Sequence, residues 1–247
     1  MRREDLHTYL DTLLDAGRFR DYCPNGLQVE GRAEVRRIVC GVSASQSLLD
    51  AAVAREADAV VVHHGWFWKS DDPTVRGHRK RRLATLLAND INLFAYHLPL
   101  DAHPEVGNNA QLAQRLGWSI SGRFAEQDIG FVGTPAAPTT VGGVATDLEN
   151  LLGRAPLVIG DAGRAAARIA WCSGGAQDYL EQAVATGADV FVSGEISERT
   201  VHLARETGVA YIAAGHHATE RYGVMALAAR LSEQGLACEY VEIDNPV

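Results

Sequence analysis

An internal repeat constrains this chain more than any other feature. Shifting the sequence by 131 residues lays residues 37–64 over residues 168–195 with ten identities in 28 positions. Among them are Arg37/Arg168, Ile38/Ile169, Ala52-Val53-Ala54/Ala183-Val184-Ala185 and Ala57-Asp58/Ala188-Asp189. Each copy reads as a β-α-β unit, with a β-branched run, an amphipathic stretch and a second apolar run. At a shift of 119, His97-Leu98-Pro99-Leu100-Asp101 falls on His216-His217-Ala218-Thr219-Glu220, so both copies place His-x-x-x-carboxylate after an apolar run. Convergence of common β-α-β composition is the competing account. A genuine repeat predicts an α/β fold of two similar lobes facing each other about a pseudo-twofold, with groups at equivalent strand ends meeting between them.

The alternation continues along the chain. Short β-branched runs predict strands at 37–42, 59–62, 91–96, 129–133, 168–172, 189–192, 209–213 and 238–243. Amphipathic stretches predict helices at 47–57, 78–89, 108–116, 140–152, 177–186, 197–207 and 219–234, after an N-terminal helix carrying Leu6, Tyr9, Leu10, Leu13 and Leu14. Asn25-Gly26 is a turn signal, and Ser43 and Ser45 have the look of helix caps. The Gly- and Pro-rich stretch 133–143 is the expected internal boundary, giving a first lobe over 1–132 and a second over 133–247.

Charged residues interrupt every apolar stretch, so no membrane span is expected, and the charged start has no apolar signal core behind it. The expected location is cytoplasmic, without membrane partners. The four cysteines are far apart and form no CxxC pair, which reads as reduced core thiols. A formal charge of -8 opposes a general nucleic-acid coat, although a local basic patch stays open. The chain carries no GxxxxGK[ST] loop, no GxGxxG after a strand and no GxSxG elbow, so triphosphatase, dinucleotide-dependent dehydrogenase and serine-hydrolase chemistries lack their parts.

Four of the nine histidines fall in two adjacent pairs, His63-His64 and His216-His217. His63-His64 ends the run Ala59-Val60-Val61-Val62, His97 ends Leu93-Phe94-Ala95-Tyr96, and His216 ends Tyr211-Ile212-Ala213-Ala214-Gly215. Ligands of open α/β sheets bind at the carboxyl ends of the strands, where all three clusters are expected. Imidazole and carboxylate are ligands for Zn, Mn, Fe or Co, and no cysteine in these segments biases the site toward a closed structural one. His63, His64, His97, Asp101, His216 and Glu220 are therefore the candidate metal ligands. Six suit two divalent ions sharing a carboxylate or hydroxide. The alternative is that each histidine is a satisfied, partly buried side chain. His217 and His103 are weaker additions that could equally stand behind the ligands; His7, His78 and His202 read as surface residues.

Two divalent ions against two carboxylates leave a positive centre suited to hydrolysis through a metal-bridging hydroxide. The segment Trp66-Phe67-Trp68-Lys69, followed by Arg76, Arg79, Lys80, Arg81 and Arg82, is densely cationic for an acidic protein. Trp66, Arg79 and Lys80 are the candidate substrate-binding residues, against the plainer reading of a solvated helix face. Trp66 and Trp68 either stack on a base or pack under the loop as core. Glu195, aligned by the repeat with His64, is the candidate catalytic proton-transfer group or an acid behind the ligands.

At these residues the sequence resembles the YbgI-type dinuclear metal-centre proteins, also called GTP cyclohydrolase 1 type 2 homologues and related to the NGG-interacting-factor-like family. The resemblance spans nearly the whole chain. It is carried by Asp21-Tyr22-Cys23-Pro24-Asn25-Gly26-Leu27-Gln28-Val29-Glu30-Gly31, Val62-His63-His64-Gly65, His97-Leu98-Pro99-Leu100-Asp101, Gly107-Asn108-Asn109, Ser193-Gly194-Glu195 and Gly215-His216-His217-Ala218-Thr219-Glu220. It implies a metal pair held by His63, His64, Asp101, His216 and Glu220 with His97 alongside, two similar α/β lobes, and assembly into a ring-shaped homohexamer. The form matched is the shorter bacterial one, without the long domain that other members insert between the halves. The implied activity is metal-dependent hydrolysis of a C–N bond or phosphoester in a small nucleotide-like or damaged-base substrate. The alternative is a non-catalytic, metal-binding regulatory ring that binds a partner or nucleic acid.

Overall fold

The computed structural model describes all 247 residues, as two compact units: Met1–Leu100 with Val224–Asp244, and Asp101–Gly223 with Asn245–Val247. In the first unit, helix α1 (Arg3–Leu14) buries Leu6, Leu10 and Leu14, one face of an amphipathic turn pattern. Strands β1 (Gly26–Val29), β2 (Arg37–Ser43), β3 (Ala59–His64) and β4 (Asn92–Ala95) alternate with helices α2 (Gln46–Ala54) and α3 (Gly77–Asn89). The last strand of the chain, β11 (Ala237–Tyr240), joins this sheet, whose order is β1-β4-β3-β2-β11. All of its pairings are parallel except β1 against β4. β3 sits inside the sheet, which is why Val60, Val61 and Val62 are all fully buried and read as a continuous apolar run. Leu48 and Leu49 of α2 and Leu86 of α3 complete this core. Ser45 caps α2 by accepting from the Leu48 N–H, as expected of it.

The second unit begins within the short helix α4 (Leu98–Ala102) and continues through α5 (Asn108–Leu116), β5 (Ser119–Phe124), β6 (Gly130–Thr134), α6 (Val141–Leu152), β7 (Leu157–Ile159) and β8 (Ile169–Cys172). It goes on through α7 (Leu180–Ala185), β9 (Val190–Ser193), α8 (Glu198–Thr207), β10 (Ala210–Ala213) and the start of α9 (His216–Ser232). The sheet order is β5-β6-β8-β9-β10-β7, with β8, β9 and β10 parallel and the other strands antiparallel to their neighbours. A reciprocal capping box of Ser197 and Thr200 starts α8.

The repeat is visible in hydrogen bonds as well as in strand order. Asp58, just before β3, accepts from the backbone N–H groups of Arg36 and Arg37 at 2.8 and 2.9 Å. Asp189, just before β9, accepts from those of Ala167 and Arg168, both at 2.9 Å. Each aspartate also pairs with an arginine, Arg32 or Arg164, and returns its own N–H to the start of the preceding strand. The identical Ala-Asp pairs of the two copies are therefore the staples that join their parallel strands.

The expected boundary needs correction. A division after residue 132 would cut β6, which pairs with β5 and β8 inside one sheet, and would separate β11 from β2. Glycine and proline in 133–143 mark a strand end and the entry to α6, whose cap is Thr140, and not a linker. Three strands escaped the sequence reading: β1, where Gly26 (φ 100°) opens a strand at the expected turn, the exposed β5, and the three-residue β7. Three helical regions differ as well, the first being α4, which was not expected. The region 177–186 splits into a 3-10 turn and α7, and α9 starts at His216 instead of residue 219.

Candidate metal centre

The first unit gathers three imidazoles at the carboxyl ends of β3 and β4. His63 is buried, and its Nδ1 lies 3.0 Å from the Tyr96 carbonyl oxygen. A carbonyl can only accept, so a neutral His63 carries its proton on Nδ1 and keeps its lone pair on Nε2. Nδ1 of His64 is 3.1 Å from the Ser43 hydroxyl. Nδ1 of His97 is 2.8 Å from Asp21, which leaves Nε2 as the atom His97 can offer an ion. Ring centroids stand 4.5 Å apart for His63 and His64, 5.2 Å for His63 and His97, and 5.7 Å for His64 and His97. One donor atom from each lies within 4.8 Å of the others.

Asp21 is the anchor of this group. Burial alone would raise its carboxyl, but the hydrogen bond and charge of His97, the Asn25 amide and the Leu98 N–H outweigh that and hold it at about 2. Cys23 also comes within 4.8 Å of Asp21 and His97. Burial first, and then the Asp21 charge, push its thiol up to about 12, so it stays protonated and is a poor ligand.

The second unit gathers carboxylates. Asp101 and Glu220 are both buried, with oxygens within 4.8 Å of each other. Oδ1 of Asp101 accepts from the Asn108 amide at 2.9 Å and from the Ser173 hydroxyl at 3.1 Å. Asn109 ties the Asp101 carbonyl to the Ser173 backbone, so this carboxylate is held from two sides. Because α9 begins at His216, that residue and Glu220 are one turn apart on the same face, with Nε2 of His216 3.2 Å from Glu220. The other ring nitrogen, Nδ1, is 2.7 Å from Glu195. Burial disfavours the imidazolium, yet Glu220 and then Glu195 overcome it and raise His216 to about 9. A proton thus holds His216 and Glu220 together, and both side chains are donors that would hold a cation in its place.

The loop after β8 closes this group. Gly174 (φ 69°) accepts backbone N–H bonds from Gly194 and Glu195 and donates its own N–H to Thr219 on α9. A Cβ here would collide with Oε1 of Glu220, so the backbone approaches the carboxylate as only glycine allows. Two buried carboxylates this close to each other, one of them paired with an imidazole, fit a divalent cation, as do three neighbouring imidazoles whose Nδ1 atoms are engaged elsewhere.

The remaining expectations fall unevenly. Trp66 packs against the core of the first unit and gives its indole N–H to the Ala44 carbonyl, while one side faces a cavity. Arg79 lines that cavity but is paired with Asp71 at 2.9 Å. Lys80 is exposed and is not in its wall, because it leaves α3 on the solvent side. His103 accepts the N–H groups of Glu105 and Val106, a turn-closing role, and the backbone of His217 bonds to Val247. His7 is only half-exposed, accepting from the Leu27 N–H, and His78 belongs to the cavity wall. Ser43, read as a cap, instead touches His64. Asp21, Asn108, Ser173 and Gly174 carry the support of the donors and had no assigned role in the sequence. The signals for Asp21 and Asn108 lay in the motifs that contain them; Ser173 and Gly174 had none beyond following a strand of the repeat.

Fold and donor chemistry define a two-sheet α/β protein with His/Asp/Glu clusters able to bind a metal. The family described as Duf34/NIF3 (NGG1p interacting factor 3) matches residues 1–246, and the chain belongs to it. Among its relatives, the GTP cyclohydrolase 1 type 2 homolog of Pseudomonas aeruginosa is 57% identical over 239 residues, covering 96% of this chain and 94% of that one. The protein of the same name from Yersinia pestis is 52% identical over 248 residues and the full length of both. Among solved structures, the protein ybgI, of unknown function, superposes with a TM-score of 0.97 at 48% identity, and a protein of Thermus thermophilus with 0.88 at 38%, each over the whole of both chains. No helix is long and apolar enough to cross a membrane.

Proposed function

We propose that this chain is a metal-dependent hydrolase of a nucleotide-like or damaged-base substrate, with His63, His64, His97, Asp101, His216 and Glu220 as the ligands of two divalent ions drawn from Zn, Mn, Fe or Co. The observation that carries this reading is the chemistry of the two clusters, four imidazoles and two buried carboxylates with no thiolate among them. When bound, such ions supply Lewis acidity, polarising a carbonyl or phosphoryl oxygen and acidifying water near neutral pH.

The chain's own residues perform the rest. Tyr96 and Asp21 hold the Nδ1 protons of His63 and His97, presenting Nε2 to the ions. Asn108 and Ser173 orient Asp101 through Oδ1. Glu195, less buried than Glu220, holds Nδ1 of His216 and is placed to accept a proton from attacking water or to pass one to a leaving nitrogen or oxygen. The same reading makes the protein a cytoplasmic homohexamer. The net charge of -8 counts against the alternative of a nucleic-acid-binding ring.

The test joins elemental analysis to a screen of purine nucleotides, cyclic amides and phosphoesters against the metal-loaded protein. Two equivalents of metal and hydrolysis of at least one class, lost in Glu220→Ala, are expected. Silence across all three classes with metal fully bound would overturn the hydrolase reading.

A further inference from the structure

Beside the three imidazoles of the first unit, the chain builds a cavity of about 640 Å³, within the span of small-molecule sites. Its wall includes Trp66, Phe67 and Trp68 on one segment and His78, Arg79 and Arg82 on another. Trp68 belongs to both places, since its ring meets that of His97 edge-on at 4.9 Å and lies 6.1 Å from that of His64. A ligand in the cavity would therefore sit one aromatic ring away from the candidate metal ligands.

The cations of the wall are not alike. Arg79 is neutralised by Asp71, and the Lys69 ammonium is engaged by the Asp21 carbonyl. Arg82 is half-buried, and no carboxylate or carbonyl of the chain accepts from its guanidinium. Burial, and then the neighbouring Arg81, lower its pKa, the mark of a charge that the protein does not compensate. Such a group invites an anion, and a guanidinium fits the paired oxygens of a phosphate. Phe67 adds a second oddity: it is half-exposed and held at φ 65°, a left-handed conformation that a bulky aromatic residue rarely adopts. The backbone there spends conformational strain to keep an aromatic ring at the rim of the cavity.

We propose that this cavity seats a nucleoside monophosphate, with the phosphate on Arg82 and His78 and the base against Phe67 and Trp68. The inference rests on the hydrolase reading for its purpose, naming the substrate class of that site, but it makes a separate claim about binding. It also replaces Lys80, and demotes Arg79, as the expected anion contacts.

The experiment is a fluorescence titration of the EDTA-treated full-length protein, so that phosphate binding to metal does not contribute, with GMP, guanosine, inorganic phosphate and a single-stranded oligonucleotide as probes. Saturable tryptophan quenching by GMP is expected, with guanosine and phosphate each at least tenfold weaker. Arg82→Gln should weaken GMP at least tenfold with an unchanged melting temperature, whereas Arg205→Gln, which removes one exposed charge elsewhere, should leave it as in wild type. GMP binding no tighter than guanosine, unaltered binding by Arg82→Gln, or tighter binding of the oligonucleotide would each overturn the proposal. If metal-free protein binds GMP as expected but the metal-loaded form hydrolyses nothing, the hydrolase reading fails and the cavity assignment stands. Hydrolysis without an Arg82-dependent GMP site would have the opposite meaning.

Discussion

His97 in the first unit and His216 in the second occupy matching places in the repeat, and each gives Nδ1 to a carboxylate, at 2.8 and 2.7 Å. The carboxylates come from different sources. Glu195 stands at the end of β9, where the repeat puts His64 in the first unit; Asp21 comes from the segment before β1, outside the repeat. The first unit therefore collects three imidazoles, one of them anchored by an acid, while the second sets Glu195 and Glu220 on the two ring nitrogens of one histidine, with Asp101 close to Glu220. One β-α-β plan has thus kept the position of a histidine and exchanged the charge around it. The physical consequence is that the second unit attracts a cation by charge, whereas the first offers lone pairs and depends on their pre-orientation.

The largest test of this contrast is removal of one ligand from each side. Glu220→Ala is expected to weaken metal binding by more than about 100-fold, beyond what an outer partner contributes, leaving elemental analysis with almost no metal. His64→Ala should lose only the ion it helps to hold and retain about one equivalent. Equal losses from both variants would erase the distinction.

Changing the anchoring acids should be smaller and more even. Asp21→Asn and Glu195→Gln are each expected to weaken affinity about 10- to 100-fold in competition with a chelator, because the ligand stays and only its orientation and basicity suffer. Should Glu195→Gln abolish turnover with metal fully bound, Glu195 would be a proton-transfer group first and an anchor second.

Gly174→Ala tests how closely the second cluster is packed. Strain at its positive φ is expected to cost roughly 1 kcal/mol in chemical denaturation. Displacement of Glu220 should add a loss of metal affinity of about tenfold. Gly153→Ala, at a positive φ with open space around it, should show the strain alone.

In the metal-free protein the two units should respond to pH at opposite ends. His216 is raised to about 9, above the ordinary histidine value. Its contribution is complete below about pH 6.5 and is lost as pH rises through about 9. Asp21 is lowered to about 2, so its contribution is present above about pH 4 and is lost as pH falls toward 2. Melting temperatures in EDTA should fall on both flanks. Glu195→Gln should flatten the alkaline one and Asp21→Asn the acidic one.

Much of this was readable before any coordinates. The Ala-Asp pairs at 57–58 and 188–189 marked both copies of the repeat, because a carboxylate that staples two backbone N–H groups leaves a local signature. Both β-α-β units, and the placement of His63, His64, His97 and His216 after strands, followed from apolar runs long enough to be buried in a parallel sheet. The boundary at 132 failed because β11 returns to β2 from the far end of the chain, a pairing to which no local pattern points. Ser43 was misassigned for a related reason: its neighbour Ser45 is the true cap, and only the register of β2 on β3 sets Ser43 against His64.

Sequence alone determined the kind of chemistry, since residue type decides which atoms can hold a cation and the strand-end position decides which way they gather. Tertiary structure decided how those atoms are held: Asp21 reaches His97 across 76 positions, Ser173 reaches Asp101 across 72, and Arg82 is left without an acceptor beside an aromatic wall. Proton placement, pKa and unmet charge all depend on neighbours within a few ångströms, and for these residues the neighbours are supplied by distant parts of the chain.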